Sequence, residues 1–187
     1  KTLAEFIELA RTKSQSFGSF GAGTSSHVVG ESFNITANIK LSHVPYKGTA
    51  PAINDLLGGH VDSVIADFAA AGQHLGENGA LRVLAVTGVN RSEGFPEVPT
   101  FGEQGYKSMN ELVGWIGFVA PTHAPQDKVT AWGQAVANAV EAPDVRKLLI
   151  NLGYTPTGAH GKVFEKIIAD EPARWGALIK EANITLQ

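Results

Sequence analysis

The feature that most constrains this chain is the alternation of short apolar runs with helical patterns between Ser14 and Val86. Ser16 to Phe20 reads as a strand ending in the small-residue turn Gly21-Ala22-Gly23. Thr24 or Ser25 then caps a helix running to about Ala37, with Val28, Val29 and Phe33 on its buried side. Leu41 to Val44 is the next strand. A short helix follows, with Pro51 in its first turn, Ile53, Leu56 and Leu57 inward and Gly58-Gly59 as its stop. Val61 to Ala66 and Leu81 to Val86 read as two further strands around a helical segment, Phe68 to Leu75. Strands separated by helices in this way favour a parallel α/β sheet with helices on both faces.

Upstream, Thr2 and Glu5 form a capping-box pattern, and Leu3, Phe6, Ile7 and Ala10 give the helix behind it one apolar face. This abrupt opening, with no signal peptide before it, reads as a mature or truncated N-terminus. Downstream, Gly88 to Asn110 is rich in Gly, Pro and Ser and reads as loop, with one turn of helix at Thr100 to Gln104. Gly114 to Ala120 is a strand candidate closed by Pro121.

Three helices follow without a strand among them. Pro125 opens the first, with Val129, Trp132, Val136 and Val140 inward; Pro143 opens the second, which Gly153 stops. The third spans about Lys162 to Ala182 and buries Phe164, Ile167, Ile168, Trp175 and Leu178, with Pro172 expected to kink or break it. Three amphipathic helices need a surface to cover, and residues 115–187 offer one short strand. Their apolar faces must pack on the first region or on a sheet outside these residues.

Bulk properties remove several functions. The 187 residues suffice for one or two domains, and the net charge of -3 with no Lys/Arg cluster argues against nucleic-acid binding. Cysteine is absent, which excludes disulfides, thiolate metal sites and a cysteine nucleophile. The longest promising apolar stretch, Val113 to Pro121, is far too short to span a bilayer, so the chain is not expected to be membrane-embedded. The six histidines show no metal-ligand spacing, and no cofactor motif stands out.

The most informative stretch is Phe17 to His27, where a strand feeds a small-residue turn and then a helix. Free backbone N–H groups at that helix start, with the hydroxyls of Ser19, Thr24 and Ser25, make a cradle suited to an anion, and Gly21 and Gly23 let it approach the backbone. Gly23-Thr24 lacks the Lys of a P-loop, Ser26 stands where a dinucleotide fingerprint needs Gly, and no Gly-x-Ser-x-Gly elbow exists. The second stretch, His43 to Pro51, again places a polar loop, Tyr46-Lys47-Gly48-Thr49, between strand and helix. In an open parallel sheet such loops converge on the carboxyl edge, where ligands bind. Asp67 ends the following strand on the same edge, placed either to hold a ligand ammonium or hydroxyl or to cap the next helix. His27 reads as a packing or helix-surface residue, and Asp55 as decoration of a helix surface.

These two loops also carry a resemblance. Ser19-Phe20-Gly21-Ala22-Gly23-Thr24-Ser25-Ser26-His27, His43-Val44-Pro45-Tyr46-Lys47-Gly48 and Asn54-Asp55-Leu56-Leu57-Gly58-Gly59-His60-Val61-Asp62 resemble the Bug/TctC receptors of tripartite tricarboxylate transporters. The likeness continues through Leu81 to Thr87, Arg91, Val98 to Gly105 and Trp115 into the C-terminal helices, and only the ordered set is specific. It implies a type II periplasmic-binding-protein fold, two α/β lobes closing on a small organic carboxylate, and a periplasmic receptor working with membrane transporter subunits. It also implies a departure, because family members begin with a long N-terminal portion that this sequence lacks. Residues 1–114 would then be the second α/β lobe, nearly complete and carrying the ligand loops, and 115–187 a crossover strand and C-terminal helices of the first, incomplete lobe. By the same resemblance Ser19, Gly21, Gly23, Thr24 and Ser25, then Tyr46, Lys47, Gly48 and Thr49, are the expected ligand-binding residues. The competing expectations are a small α/β hydrolase or transferase using His27 and Asp67, and a truncated pseudo-receptor that contacts a protein partner.

Overall fold

In the computed structural model, which describes residues 1–76, 78–181 and 184, the first region folds around a three-stranded parallel sheet. Helix α1 (Leu3–Thr12) opens on the expected capping box, the Thr2 hydroxyl accepting from the Glu5 N–H and the Glu5 carboxylate from the Thr2 N–H. Strand β1 (Gln15–Ser19) pairs with β2 (Leu41–Pro45) on one side and β3 (Ser63–Val64) on the other, giving the order β2-β1-β3. Helix α2 (Ser25–Ala37) links β1 to β2, and α3 (Thr49–Leu57) links β2 to β3.

Side chains alternate across a strand, so neighbouring residues of β1 face opposite layers. Phe17 packs beneath Gly30 of α2, whereas Gly18 faces Ala52 of α3, Val64 and Tyr46. The two crossovers therefore cover opposite faces of the sheet, a doubly wound arrangement. On the Phe17 face, Leu3 and Ile7 of α1 and Val29, Phe33 and Ala37 of α2 form one core with Leu41, Phe101, Met109 and Leu112. At β1 a Cβ on Gly18 would lie 3.1 Å from the Tyr46 ring, a tight contact that a larger residue could keep only if the ring shifted by a few tenths of an ångström.

Two expected strands do not form. Leu81 to Val86 makes a single bridge, Val86 to Thr100, and among the described residues no ladder. Its apolar character is used for packing instead, Leu84 and Ala85 lying against the core. Gly114 to Ala120 has no strand partner among the described residues, and Ile116, Phe118 and Val119 are 80%, 68% and 75% exposed. An extended segment needs a neighbour to accept its backbone hydrogen bonds along its length; 81–86 has one only at Val86, where its N–H donates to the Pro99 carbonyl, and 114–120 has none among the described residues. Strand β3 is shorter than Val61 to Ala66, and the expected helix Phe68 to Leu75 divides into α4 (Phe68–Ala71) and a 3-10 turn, Gly72–His74. Leu57, expected inward, is 40% exposed.

The three C-terminal helices appear where expected as α5 (Gln126–Glu141), α6 (Pro143–Asn151) and α7 (Gly161–Glu181). Pro172 lies within α7 without ending it; the expected end at Ala182 is outside the described residues. The far half of α7 docks on the first region. Arg174 donates to the carbonyls of Glu111 (2.7 Å) and Val113 (2.8 Å), and Trp175 and Leu178 pack against the main core. Of the two covers expected for these helices, Trp175 thus finds the first region. Other apolar positions remain open: Trp132 is 61% exposed, Leu148 57% and Val163 64%.

Candidate functional site

Three strand-to-helix loops meet at the carboxyl edge of the sheet. The loop after β1 is the most elaborate, and its hydrogen bonds show which groups hold the turn and which remain for a ligand. Ser19 is fully buried; its hydroxyl donates to the Gly21 carbonyl (3.1 Å), accepts from the Gly21 N–H (3.2 Å) and lies 2.7 Å from His43 Nε2. Thr24 occupies the N-cap of α2, yet its hydroxyl makes no capping bond and donates to the Gly21 carbonyl at 2.7 Å. The Phe20 N–H donates to the Ser26 hydroxyl at 3.1 Å, and the Gly23 N–H to His27 Nδ1 at 3.1 Å. Gly21 and Gly23 sit at φ +150° and +75°, where a side chain is strained.

The expected cradle is therefore a turn already satisfied from within. Ser19 and Thr24 shape it rather than offering free hydroxyls. The N–H groups of Ser25, Ser26 and His27, the first turn of α2, donate to nothing among the described residues, and the Ser25 side chain is exposed beside them. These donors carry the partial positive charge of a helix start and suit an anionic oxygen.

The β2 loop is tied to the first one, because the Tyr46 N–H donates to the Ser19 carbonyl at 3.0 Å. The Tyr46 hydroxyl donates to Asp55 Oδ2 at 2.7 Å, so Asp55 is no mere surface decoration. Burial first, then the bond to Asp55 and its charge, push the Tyr46 phenol above its usual range. Lys47 is exposed and makes no ion pair among the described residues. Gly48, at φ +113°, is the N-cap of α3; no side chain caps this end, and the helix begins at Thr49. A second uncapped helix start thus opens on the sheet edge.

Asp67 has a local task. Its carboxylate accepts from the Ala70 N–H at 2.9 Å as the N-cap of α4, which realises the capping alternative. Its charge reaches Tyr154, beyond α6, whose phenol is raised chiefly by burial and then by Asp67. His27 is likewise engaged, holding the Gly23 N–H and stacking on His43 with centroids 3.7 Å apart. The pair on which an enzymatic reading would rest is therefore bound up separately in two turns.

Sequence reasoning missed His43, Ser26, Asp55 and Tyr154. His43 projects from the interior of a strand, and its ring lies between Phe17 (5.0 Å) and His27. Ser26 is buried at the second position of α2, where its hydroxyl could have been read as a further loop acceptor. No group of three or more His, Asp or Glu that could hold a metal occurs among the described residues.

The profile of the tripartite tricarboxylate transporter family receptors matches residues 1–184. A protein encoded in the tcbD-tcbE intergenic region of Pseudomonas sp. strain P51 is 36% identical over 169 residues, 90% of this chain and 50% of that protein. Protein BugT of Bordetella pertussis is 31% identical over 95% of this chain and 54% of its own length. The chain thus spans about half the length of these two relatives. Among solved structures, R. palustris Rpa4515 with adipate superposes with a TM-score of 0.88 at 29% identity, covering 98% of this chain and 62% of that one. The solved relatives include proteins described as periplasmic, which places the α/β architecture among periplasmic binding proteins. The match over nearly all 187 residues shows that the chain belongs to the tripartite tricarboxylate transporter family receptors.

Proposed function

We propose that this chain captures a small organic carboxylate as the ligand-binding part of a periplasmic receptor, which delivers it to the membrane subunits of a tripartite tricarboxylate transporter. The observation that carries the reading is the pair of helix starts, α2 and α3, opened side by side by two adjacent parallel strands. In this reading the amides of Ser25, Ser26 and His27 take one carboxylate, with the Ser25 hydroxyl beside them. Gly48, Thr49 and Lys47 serve the second polar end, while Ser19, Gly21, Gly23, Thr24 and Tyr46 hold both loops in register. Asp67 is assigned to the rim, where it would meet a ligand hydroxyl. Adipate in a solved relative supports a ligand with two such ends.

Residues 1–114 are proposed as the second α/β lobe and 115–187 as the return of the chain into the first. The open apolar faces of Trp132, Leu148, Val163 and the 116–119 segment support the rest of that first lobe as their cover. No helix among the described residues is long and apolar enough to cross a membrane.

The test is calorimetry of the full-length receptor with adipate. Replacing Thr24 and Ser25 together by Ala removes the hydroxyl that closes the turn and the one beside the free amides. At about 1.5–3 kcal/mol for a hydrogen bond to a charged group, affinity falls at least about tenfold. Affinity unchanged in the double variant would sink the assignment.

A further inference from the structure

The turn after β1 is pinned by an imidazole of α2. His27 Nδ1 accepts the Gly23 N–H at 3.1 Å. A neutral imidazole has one ring nitrogen with a lone pair, so this bond places the His27 proton on Nε2. That nitrogen lies 3.8 Å from Glu31 Oε1. Protonating His27 puts a second N–H at Nδ1, opposite the Gly23 N–H: one hydrogen bond is lost and two donors face each other. Gly23 immediately precedes the N-cap of α2, so the strain falls on the residue that aims the free amides.

We propose that His27 is a positioning residue for the carboxylate turn, acting in its neutral form from within its stack on His43. This rests on the receptor reading above. The surroundings explain the bias. From β2 comes the His43 ring, 3.7 Å away and 10° from parallel; from β1 come Phe17 on the far side of His43 and Ser19 at its Nε2. From α2 comes Glu31, the charged side chain facing the pair among the described residues; its second oxygen accepts from Asn34 at 3.1 Å. Burial lowers the affinity of His27 for a proton, against the pull of Glu31. His43 is lowered further, to about 4, by burial and then by His27. Burial thus disfavours charge on both rings, and His27 adds to this at His43. Acid should therefore release the turn.

Two measurements on the full-length receptor test this. The first needs no ligand: an NMR titration of the histidine ring nitrogens and the Gly23 amide from about pH 8 to 4.5, the range spanning ordinary histidine ionisation. The expected result is a neutral His27 with its proton on Nε2, and a Gly23 amide shift that moves with the His27 midpoint. A Gly23 amide indifferent to that titration overturns the proposal. The second is adipate affinity across the same range for the parent, His27→Leu and His27→Asn. Asn can offer an oxygen to Gly23 but carries no titrating proton. At about pH 7.5, where His27 is neutral, His27→Leu should lose roughly three- to tenfold, the worth of one hydrogen bond, and His27→Asn should recover most of it. The parent should lose a similar factor on acidification beyond what His27→Asn shows, since ligand protonation is common to both. Identical acid limbs in parent and His27→Asn refute the proton-dependent role. If no variant and no pH gives carboxylate binding, the receptor reading fails, and the Gly23 shift alone decides the latch.

Discussion

Adding one methyl group at Gly30 should destabilise the sheet and disturb the proposed ligand turn, although Gly30 lies in the middle of a helix. Its built Cβ would lie 2.1 Å from Phe17 Cε2, 2.4 Å from Cζ and 2.6 Å from Cδ2. Carbon atoms attract best at about 3.5–4.0 Å, so the ring must retreat by roughly 1.4 Å. Phe17 is fully buried and has no empty direction, because His43 stacks on it at 5.0 Å and the main core surrounds it. Overpacking of this kind costs about 1–3 kcal/mol, and more when the site cannot yield. Replacing Gly by Ala within a helix returns about 1 kcal/mol. With Phe17 unable to yield, the cost lies at the upper end of that range, so the net expectation for Gly30→Ala is a loss of at least about 2 kcal/mol, read as a lower urea midpoint with an unchanged slope. Because Phe17 supports His43, and His43 contacts Ser19, carboxylate affinity should fall as well. Phe17→Leu combined with Gly30→Ala should recover stability relative to the sum of the single changes. If Gly30→Ala instead stabilises the protein by the full helix-propensity gain, the close packing of α2 on β1 has been misread.

Asn34 is the second structural test. It is buried, its side-chain oxygen accepting from the Leu41 N–H (2.8 Å) and its amide donating to the Leu41 carbonyl (3.1 Å). Asn34→Ala strands two backbone groups of β2 at about 1–3 kcal/mol each, so chemical denaturation should show a loss of at least about 2 kcal/mol. Stability should also depend on His43, whose folded value of about 4 lies below the ordinary 6.5. A base depressed on folding binds more protons when unfolded in that window, so its contribution is complete above 6.5 and is lost as pH falls toward 4. The melting temperature should drop through this window, and less steeply in His43→Asn; parallel curves would remove His43 as the cause. Finally, residues 1–187 expressed alone should bind a hydrophobic dye through Trp132, Phe118 and Val119, whereas the full-length receptor should not. A dye-silent isolated chain would show that these faces find cover within it.

Local signals were legible because local physics enforces them. The Thr2–Glu5 box, Gly58-Gly59 at the end of α3 and Pro143 in the first turn of α6 act within a few residues of themselves. The buried side of α2 was legible for the same reason, its apolar positions recurring at helical spacing. The alternation of strands and helices identified a parallel sheet, and that topology alone brings the loops after β1 and β2 to one edge. Tertiary structure decided the rest. Leu81 to Val86 and Gly114 to Ala120 have strand-like composition, but a strand exists only where a neighbour accepts its hydrogen bonds, and the sequence of a segment does not contain its neighbour. The hydroxyls of Ser19 and Thr24 read as ligand donors from composition, yet the folded turn consumes them. His43 was silent in sequence because its partners, Ser19 and His27, lie on β1 and α2, distant along the chain. Periodicity and turn chemistry belong to one segment, and so the sequence determined them; who accepts a proton or covers a ring depends on which segments the fold brings together.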